Sequence, residues 1–364
     1  MLIVFIDALP ASKGFEFSKL KTSKLIPNLG YSVNLHNELF NGKTPDQMGF
    51  FGEYLYNEDV KPSKEYLFKA LNLIEYLPFK LNYLFKIFLR KFFRVRIGQI
   101  PFKYVPYFNR KGKYPFIKEC NSMLDSFKTF ITDDLQNGLG NRDEVALKGV
   151  FSYLKQGNDL NKDIFISLCD LDGIGHKFGT MSPEYNQRLD YLSENVENVM
   201  NVYEEIFPNE PMVVLSDHGM SNVESYVDPR SVIKEIEKKY NSKVFYDSLY
   251  IQVFINSVND ITKDVESISN LLSASLPVKV FNEEERKMYG VTNKTFGNVL
   301  GVLNDRLAFS PNLFGYLKMK AYHGYLPNSD DNKGIFLHKN LIEGNLEEIN
   351  SIEVYKLFNG IQKA

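Results

Sequence analysis

Residues Met212–Met220 read MVVLSDHGM, in which four apolar residues give way abruptly to a serine, an acid, a histidine and a glycine. A short continuous apolar run of this kind is typical of a strand that is buried on both faces. The stretches LIVFID (Leu2–Asp7) and IFISLCD (Ile164–Asp170) share the pattern. Each run is followed by an acid, so we expect three buried strands with carboxylates at one end.

The segment between the last two strands predicts a helix. Ser182 is a candidate N-cap, Pro183 fits the first helical position, and apolar residues then recur at helical spacing as far as Phe207. Strand, helix and strand in this order favour the α/β class, with a mostly parallel central sheet flanked by helices. Ligands of such sheets bind at the carboxyl ends of the strands, where these acids would converge.

The length and the pattern of the chain suggest two parts. A chain of 364 residues fits one large domain with a smaller one. Residues 227–313 alternate helical and strand patterns of their own, which predicts a smaller inserted α+β subdomain. The core would then consist of residues 1–226 and 314–364.

Composition excludes several classes of protein. The net charge of -2 and the charged fraction of 24% do not fit a nucleic-acid-binding chain, and no nucleic-acid motif is present. Cys120 and Cys169 cannot build a disulfide framework. The N-terminal residues lack a basic leader, and no stretch approaches the roughly 18 uncharged residues of a membrane-spanning helix. These features predict a cytoplasmic protein.

Carboxylates and imidazoles collect at the predicted strand ends and in one late loop. They are Asp7, Asp172, His176, Asp217, His218 and His323. Three residues of each kind are enough to hold two divalent ions with open coordination positions, and zinc accepts both oxygen and nitrogen ligands. Each residue alone also has a plainer interpretation, since Asp172 and His176 could form a turn and His323 could lie on the surface.

Together these motifs resemble the alkaline phosphatase superfamily. The early strand that ends in Asp7, DxxxHxxG at Asp172–Gly179, SDHGM at Ser216–Met220 and a late HG at His323 occur in the order of its type I phosphodiesterase/nucleotide pyrophosphatase branch. The resemblance implies an alkaline phosphatase-like fold and two divalent ions, Zn²⁺ or alternatively Mn²⁺. One ion would be bound by Asp172, His176 and His323. The other would be bound by Asp7, Asp217 and His218, together with the nucleophile.

The same resemblance implies a Thr or Ser nucleophile ten residues before a glycine. Counting back from Gly42, in NGKTPDQMG, leads to Ser32. The Pro-Asn pair usual after the nucleophile is absent, so Asn34 is the candidate that would contact the substrate phosphate. Ala8 and Met48 replace the usual glycine and histidine of the family. Thr44 is a rival hydroxyl, although TPD also reads as a helix N-cap followed by proline.

A two-metal phosphoester hydrolase that uses Ser32 is the function this resemblance implies, with a phosphodiesterase or pyrophosphatase favoured. Alternatives on the same fold are a phosphomutase and a phosphomonoesterase. A catalytically silent protein that binds a phosphoester or a membrane is the alternative outside enzymes. His36 and His338 match no position of the family pattern and are expected to be structural or exposed.

Residues 76–118 form an unusual basic segment, with eleven Lys and Arg residues, no acid, and interleaved Phe and Tyr. Helical spacing divides part of it into two sides, Lys86, Arg90, Lys91 and Arg94 on one and Leu84, Phe85, Phe88, Phe92 and Val95 on the other. One interpretation is a helix that packs its aromatic side on the core. The other is a helix that lies on an anionic membrane, which would hold the protein peripherally at the inner face, or a rim that attracts a lipid-linked phosphoester.

Overall fold

A computed structural model describes most of the chain. The described residues are 1–17, 19–52, 54–56, 60–77, 81–82, 84–88, 102–110, 121–131, 142–157, 160–256, 261–312, 318–344 and 346–362. By the density of internal contacts the chain divides into two compact units, residues 1–43, 115–223 and 319–364, and residues 44–114 and 224–318.

Strands and helices alternate through much of the chain. The strands are β1 Leu2–Ile6, β2 Lys21–Ile26, β3 Tyr54–Tyr56, β4 Phe108–Arg110, β5 Lys128–Ile131, β6 Ile164–Leu168, β7 Met212–Leu215, β8 Ser221–Asn222, β9 Ser225–Val227, β10 Ser242–Tyr246, β11 Tyr250–Ile255, β12 Val278–Val280, β13 Val299–Leu303, β14 Leu307–Phe309, β15 Ala321–Tyr322, β16 Gly334–Lys339 and β17 Glu348–Asn350. The α-helices are α1 Ser32–Asn41, α2 Pro45–Met48, α3 Pro62–Leu71, α4 Asn121–Leu124, α5 Arg142–Leu154, α6 Asp170–Phe178, α7 Pro183–Ile206, α8 Arg230–Lys239, α9 Ile261–Ser275, α10 Glu283–Met288 and α11 Ser351–Gln362.

The first unit is built on a seven-stranded sheet in the order β17-β2-β16-β7-β1-β6-β5. Strand β1 lies between β6 and β7 and is parallel to both, and β5 continues the parallel arrangement beside β6. Strand β16 runs antiparallel to its two neighbours, so the sheet is mostly parallel. The three strands predicted from the sequence are therefore its centre, and their acids follow at one edge.

Both faces of β1 are buried, as its apolar run predicts. Leu2, Val4 and Ile6 belong to one hydrophobic cluster, which includes residues of α5 and α7. Ile3 and Phe5 point into a second cluster, which includes residues of α1 and α11. Helices on both sides of a parallel sheet are the expected consequence of strands without a polar face. The predicted α/β class is confirmed.

Helix α7 begins where the sequence indicates. The Ser182 hydroxyl accepts a hydrogen bond from the Tyr185 N–H at 3.1 Å, and Pro183 occupies the first helical position. The N-cap satisfies one backbone donor that the helix itself cannot, and the proline has no such donor to satisfy. This helix makes the connection between the parallel strands β6 and β7.

The second unit contains a four-stranded antiparallel sheet in the order β10-β11-β13-β12. Helices α8 and α9 contribute Ile236, Ile268 and Leu272 to its hydrophobic core. Its residues 224–318 overlap the insert expected at 227–313, whereas its residues 44–114 were expected in the core. We keep the predicted division into a core and an inserted subdomain as a proposal.

The basic segment at residues 76–118 falls largely outside the described residues, including Arg90, Lys91, Phe92, Arg94 and Val95. Where it is described, the interpretation that packs its aromatic side on the core is wrong. Leu84, Phe85 and Phe88 are exposed, whereas Lys86 is buried with its ammonium 5.3 Å from the centroid of the Phe102 ring. The aromatic side of this helical stretch therefore does not pack on the core. Among the described residues, no helix combines the length and apolar character needed to cross a membrane.

Candidate active site

Asp7, Asp217 and His218 meet at the carboxyl ends of β1 and β7. Nε2 of His218 lies 3.2 Å from Oδ2 of Asp217 and 3.6 Å from Oδ1 of Asp7. One candidate ligand atom from each residue lies within 4.8 Å of the other two. The pairing of β1 with β7 in parallel causes this meeting, because it brings the two strand ends together.

The backbone after β7 turns too tightly for a side chain at Gly219. A Cβ at this position would lie 2.0 Å from the Asp331 carbonyl oxygen. The Ser216 hydroxyl fixes the start of the turn, since it accepts a hydrogen bond from the Leu9 N–H at 2.9 Å and donates one to the His218 carbonyl at 2.6 Å. Gly219 is thus needed because the backbone at Asp331 approaches it too closely for any side chain, as the position of this glycine after the strand suggested.

Asp172, His176 and His323 form a second group. Asp172 and His176 lie four residues apart on α6, so one helical face carries both, and Oδ1 of Asp172 is 3.3 Å from Nε2 of His176. Nε2 of His323, which follows β15, is 3.5 Å from the same oxygen. The alternative of a turn at Asp172 is wrong, because Asp172 and His176 both lie within α6. The alternative of a surface position for His323 is wrong, because His323 is buried.

Hydrogen bonds fix the tautomers of two imidazoles. Nδ1 of His176 lies 2.8 Å from the Ala321 carbonyl oxygen, and Nδ1 of His218 lies 2.8 Å from the Gly219 carbonyl oxygen. A carbonyl oxygen only accepts, so each Nδ1 carries a proton and donates it. In each neutral ring Nε2 then carries a lone pair that faces a carboxylate oxygen. The two electron-rich atoms repel each other unless a cation lies between them.

Charge and burial act against each other in this cluster. Burial alone would raise the pKa of Asp172, but the charge and the hydrogen bond of His176 hold that pKa below its ordinary value. The pKa of Asp217 is also lowered, because His218 and His36 outweigh the effect of burial. Burial, reinforced by the charge of His218, holds the pKa of His323 well below its ordinary value. The carboxylates are therefore ionised and His323 is neutral, which are the forms that bind metal.

The residues present fit a pair of divalent ions. The Oδ1 atom of Asp172 is buried and accepts no hydrogen bond, although imidazole nitrogens surround it. His218 of one group stacks on His323 of the other, with ring centroids 3.9 Å apart and planes 6° from parallel, so the two groups adjoin. Mixed carboxylate and imidazole donors suit zinc and similar borderline ions.

Ser32 is the first residue of α1 and lies beside the group of Asp7, Asp217 and His218. Its Oγ is 2.9 Å from Nε2 of His218. Because Nδ1 of that imidazole carries the proton, the serine hydroxyl is the donor in this contact. The geometry therefore brings Ser32 to the ligand residues, as the resemblance implies. Thr44 instead caps α2, and its N–H donates to the side-chain oxygen of Gln47 at 2.9 Å, as the cap interpretation of TPD predicts.

Asn34 is not placed to contact a substrate. It is completely buried, its amide nitrogen donates to the Leu29 carbonyl, and its amide oxygen accepts from the Tyr31 N–H at 3.0 Å. These hydrogen bonds shape the loop that leads into α1. A substrate contact would require breaking them, so we do not retain the role expected of Asn34.

His36 is a residue that the sequence interpretation underestimated. It is 7% exposed, and its Nε2 lies 3.1 Å from Oδ2 of Asp217. The available signal was its spacing from Ser32, because residues four apart share one helical face. His338, on β16, is completely buried, and neither ring nitrogen makes a hydrogen bond to a described residue, in agreement with a structural role.

Comparison with known proteins gives the family. A family model described as type I phosphodiesterase / nucleotide pyrophosphatase matches residues 42–310. The chain belongs to this family. It is accordingly a phosphodiesterase-type hydrolase, and the family is metal-dependent, typically with two ions. Asp172, His176, Asp217 and His218 lie inside the matched range, while Asp7, Ser32, Asn34 and His323 lie outside it.

Solved structures of the same family share the fold. Human ectonucleotide pyrophosphatase / phosphodiesterase 5 is 12% identical with a TM-score of 0.65, and the match covers 100% of this chain and 94% of that one. The murine protein is 14% identical with a TM-score of 0.63 and the same coverage. An inactive variant of the murine protein in complex with AMP is 14% identical with a TM-score of 0.59, covering 98% and 94% of the two chains. No curated protein sequence matches significantly.

Proposed function

We propose that this hydrolase cleaves nucleotide-type phosphodiesters or pyrophosphates with two bound divalent ions, Zn²⁺ or alternatively Mn²⁺, and Ser32 as nucleophile. The observation that carries the proposal is the 2.9 Å contact between the Ser32 hydroxyl and Nε2 of His218, a member of one of the two ligand groups. The family and the AMP complex of a murine relative support the choice of substrate class.

The ligand residues divide between the two ions. Asp172, His176 and His323 would hold one, and Asp7, Asp217 and His218 would hold the other beside Ser32. Such ions supply positive charge that lowers the pKa of a nearby hydroxyl and neutralises the phosphoryl oxygens. Ser32 itself begins a ten-residue helix, whose N-terminal N–H groups and dipole favour an anionic phosphoryl group at that position.

Ser32 would act in two displacements. In the first, its Oγ forms a bond to phosphorus, the bond to the leaving alcohol or phosphate breaks, and the serine proton is released. In the second, a water oxygen forms a bond to phosphorus, the bond to Oγ breaks, and Ser32 regains a proton. The balance is hydrolysis. A phosphomutase would instead return the phosphoryl group to a second substrate hydroxyl, and a phosphomonoesterase would need only one ester bond.

Replacing the hydroxyl tests the nucleophile. Ser32→Ala should lower turnover of a bis-aryl phosphodiester by at least about 10³-fold while the protein keeps its ions, because the lost nucleophile has no substitute. Ser32→Thr should retain much of the activity, and Thr44→Ala serves as the control for loss of a helix-capping hydroxyl. Wild-type turnover in Ser32→Ala would refute the assignment.

Substrate preference separates this function from its alternatives. We expect faster cleavage of a bis-aryl phosphodiester than of an aryl phosphate monoester. The reverse order would favour a phosphomonoesterase. Interconversion of glucose phosphate isomers without net release of phosphate would favour a phosphomutase.

We also propose that the second unit contacts an anionic membrane surface and holds a cytoplasmic protein at the inner face, where a lipid-linked phosphoester is a second substrate class. In the helical stretches 81–82 and 84–88 the usual arrangement is inverted. Asn82 and Lys86 are buried, while the apolar residues are exposed by 42–60%: Leu81, Leu84, Phe85, Ile87 and Phe88. Exposed apolar clusters commonly mark interaction sites.

Charge supports a lipid surface as the occupant of this face. Residues 76–118 contain eleven basic residues and no acid, and the preceding helix α3 adds exposed Lys64 and Lys69 beside exposed Tyr66 and Leu67. Apolar residues that insert at the headgroup level together with basic residues fit an anionic leaflet.

Sedimentation with vesicles tests the membrane proposal. The wild type should sediment with phosphatidylserine-containing vesicles at low salt, and the variant Leu84→Glu/Phe85→Glu/Phe88→Glu should not. Val145→Glu, at another exposed apolar position, is the matched control and should bind as the wild type does. A wild type that does not sediment with these vesicles at low salt, or a triple variant that sediments as the wild type does, would contradict the proposal.

A further inference from the structure

His36 contacts a ligand residue from the helix that begins with the nucleophile. Ser32 and His36 lie four residues apart on α1, so one face of the helix carries both. From this face Ser32 reaches His218 at 2.9 Å, and His36 reaches the preceding residue, Asp217, at 3.1 Å. A single helix turn thus touches both members of the Asp-His pair at the end of β7.

The His36 contact joins two buried atoms. Nε2 of His36 and Oδ2 of Asp217 are 3.1 Å apart, and Nε2 of His218 lies 3.2 Å from the same oxygen. The second carboxylate oxygen, Oδ1, accepts from the His218 N–H at 3.1 Å. The ring proton of His218 is on its Nδ1, so His36 is the imidazole of the two that can donate to Oδ2. A nitrogen and a carboxylate oxygen that are buried together lose stability unless a proton joins them.

Packing holds the imidazole of His36 in place. Phe5 of β1 contacts it edge to face, with ring centroids 5.1 Å apart and planes at 89°. Phe5 in turn packs on Phe40 of α1 at 5.8 Å. The ring is therefore fixed by the strand that presents Asp7 and by its own helix, which restricts rotation of its Nε2 away from Asp217.

His36 does not belong to either ligand group. The group at the end of β7 joins Asp7, Asp217 and His218 through atoms that all lie within 4.8 Å of one another, and His36 is not a member. Two ligands of one zinc ion, each at about 2.1 Å from it, can be no more than about 4.2 Å apart. His36 therefore lies farther from at least one member of the group than the members lie from one another.

We propose that His36 is a positioning residue, which donates its Nε2 proton to Asp217 and holds that carboxylate in the orientation that binds the second ion. Partners of this kind fix the rotamer and the basicity of a metal ligand. The same contact links α1, which begins with Ser32, to the Asp-His pair that would hold the second ion. This inference rests on the proposed two-metal function.

Ion affinity measured site by site tests the proposal without relying on turnover. His36→Phe keeps an aromatic ring of similar size but has no donor, and His36→Gln places an amide N–H near the position of Nε2. Titration of the metal-free protein with Co²⁺, followed by its visible absorption and by calorimetry, should show that His36→Phe weakens one site about 10–100-fold and leaves the other unchanged. His36→Gln should recover most of the loss.

A buried histidine remote from the ligands supplies the matched control. His338→Phe, on β16, should leave both affinities unchanged, because neither ring nitrogen of His338 makes a hydrogen bond within the described part of the chain. Two tight sites in His36→Phe would refute the inference and leave the proposed function intact. Complete loss of one ion in both His36→Phe and His36→Gln would make His36 a ligand and also refute a positioning role. A wild type that binds no ion would refute the proposed function itself.

Discussion

Two aspartates only two residues apart at the start of α6 differ completely in their surroundings. Asp170 is completely buried, and its oxygens accept hydrogen bonds from the Arg142 N–H at 2.9 Å, the Asp143 N–H at 3.1 Å and the Arg142 Nε at 2.7 Å. Asp172 has no such donors at its buried Oδ1, which faces His176 and His323. The first carboxylate is satisfied by the protein, and the second becomes satisfied when a cation binds.

The satisfied aspartate belongs to a reciprocal pair of helix caps. Asp170 accepts from the first N–H groups of α5, and Oδ1 of Asp143 on α5 accepts from the N–H groups of Cys169 at 2.8 Å and Asp170 at 3.2 Å. Each helix thus supplies the acid that caps the other. The comparison shows that a buried carboxylate indicates a binding site only when its hydrogen-bonding needs are unmet.

Among the substitutions that follow, Asp172→Asn should have the largest effect on ion content and turnover. It removes a charged ligand, so we expect one ion to be lost and turnover to fall by at least about 10³-fold. The free energy of unfolding of the metal-free protein should not fall, because no protein donor loses its acceptor. Metal analysis, kinetics and chemical unfolding measure the three quantities. A clear loss of stability in the metal-free protein would contradict the assigned difference.

Asp170→Asn should have the opposite profile. It leaves the partly buried Arg142 guanidinium without its carboxylate, which we expect to lower the free energy of unfolding by about 2 kcal/mol. Ion content and turnover of the folded fraction should stay within a few-fold of the wild type. Chemical denaturation and metal analysis check both expectations. Loss of an ion with unchanged stability would mean that the roles of Asp170 and Asp172 are reversed.

Glu38 extends the comparison to a buried carboxyl that has neither imidazoles nor helix N–H groups. Burial raises its pKa to about 8, although the Asn28 amide donates a hydrogen bond to it at 2.8 Å. In the unfolded chain the same pKa is near the ordinary value of about 4.3. The folded state therefore binds the proton more tightly, and stability falls as the pH rises from about 4.5 to 8.

Glu38→Gln should remove this pH dependence. Relative to the wild type, we expect the variant to gain about 1–3 kcal/mol of unfolding free energy between pH 5 and pH 8, because it never places a charge in the core. Urea unfolding of both proteins at the two pH values is the measurement. Parallel curves for the two proteins would show that Glu38 is ionised and paired in the folded state.

Ala8→Gly should have the smallest effect. Ala8 follows the ligand Asp7 with a φ of 61°, in the left-handed region that favours glycine. The free energy of unfolding should rise by about 0.5–1 kcal/mol. Ala146→Gly, within helix α5, is the matched control and should lower it by about 1 kcal/mol. Equal losses in the two variants would show that the Ala8 methyl group contributes more through packing than its backbone conformation costs.

The sequence was informative where local pattern determines structure. Strands β1, β6 and β7 and the cap of α7 follow from apolar runs and from Ser182 with Pro183, because these signals lie within a few residues of one another. The six proposed ligands could be named because they follow these strands or match a family motif. The pairing of ligands into two groups came from the resemblance, and the distances agree with it.

The remaining features depend on contacts between distant residues. Asp170 and Asp172 look alike in sequence, and only the approach of α5 separates them. Asn34 was assigned to substrate by its residue type, whereas the loop at Leu29–Tyr31 uses its amide. His36 was set aside because it matches no position of the family pattern, and its partner Asp217 lies far along the chain. In the helical stretch around Lys86 the helical spacing of apolar and basic residues was recognised correctly. Spacing alone does not tell which of the two sides is buried.

Each of the two proposed ligand groups should hold one ion. Divalent ions per chain can be counted by mass spectrometry after dialysis, in the wild type, in His176→Ala and in His218→Ala. We expect two ions in the wild type and one in each variant, with each variant losing the ion of its own group. A metal-free wild type that hydrolyses phosphodiesters at full rate in the presence of a chelator would contradict this expectation.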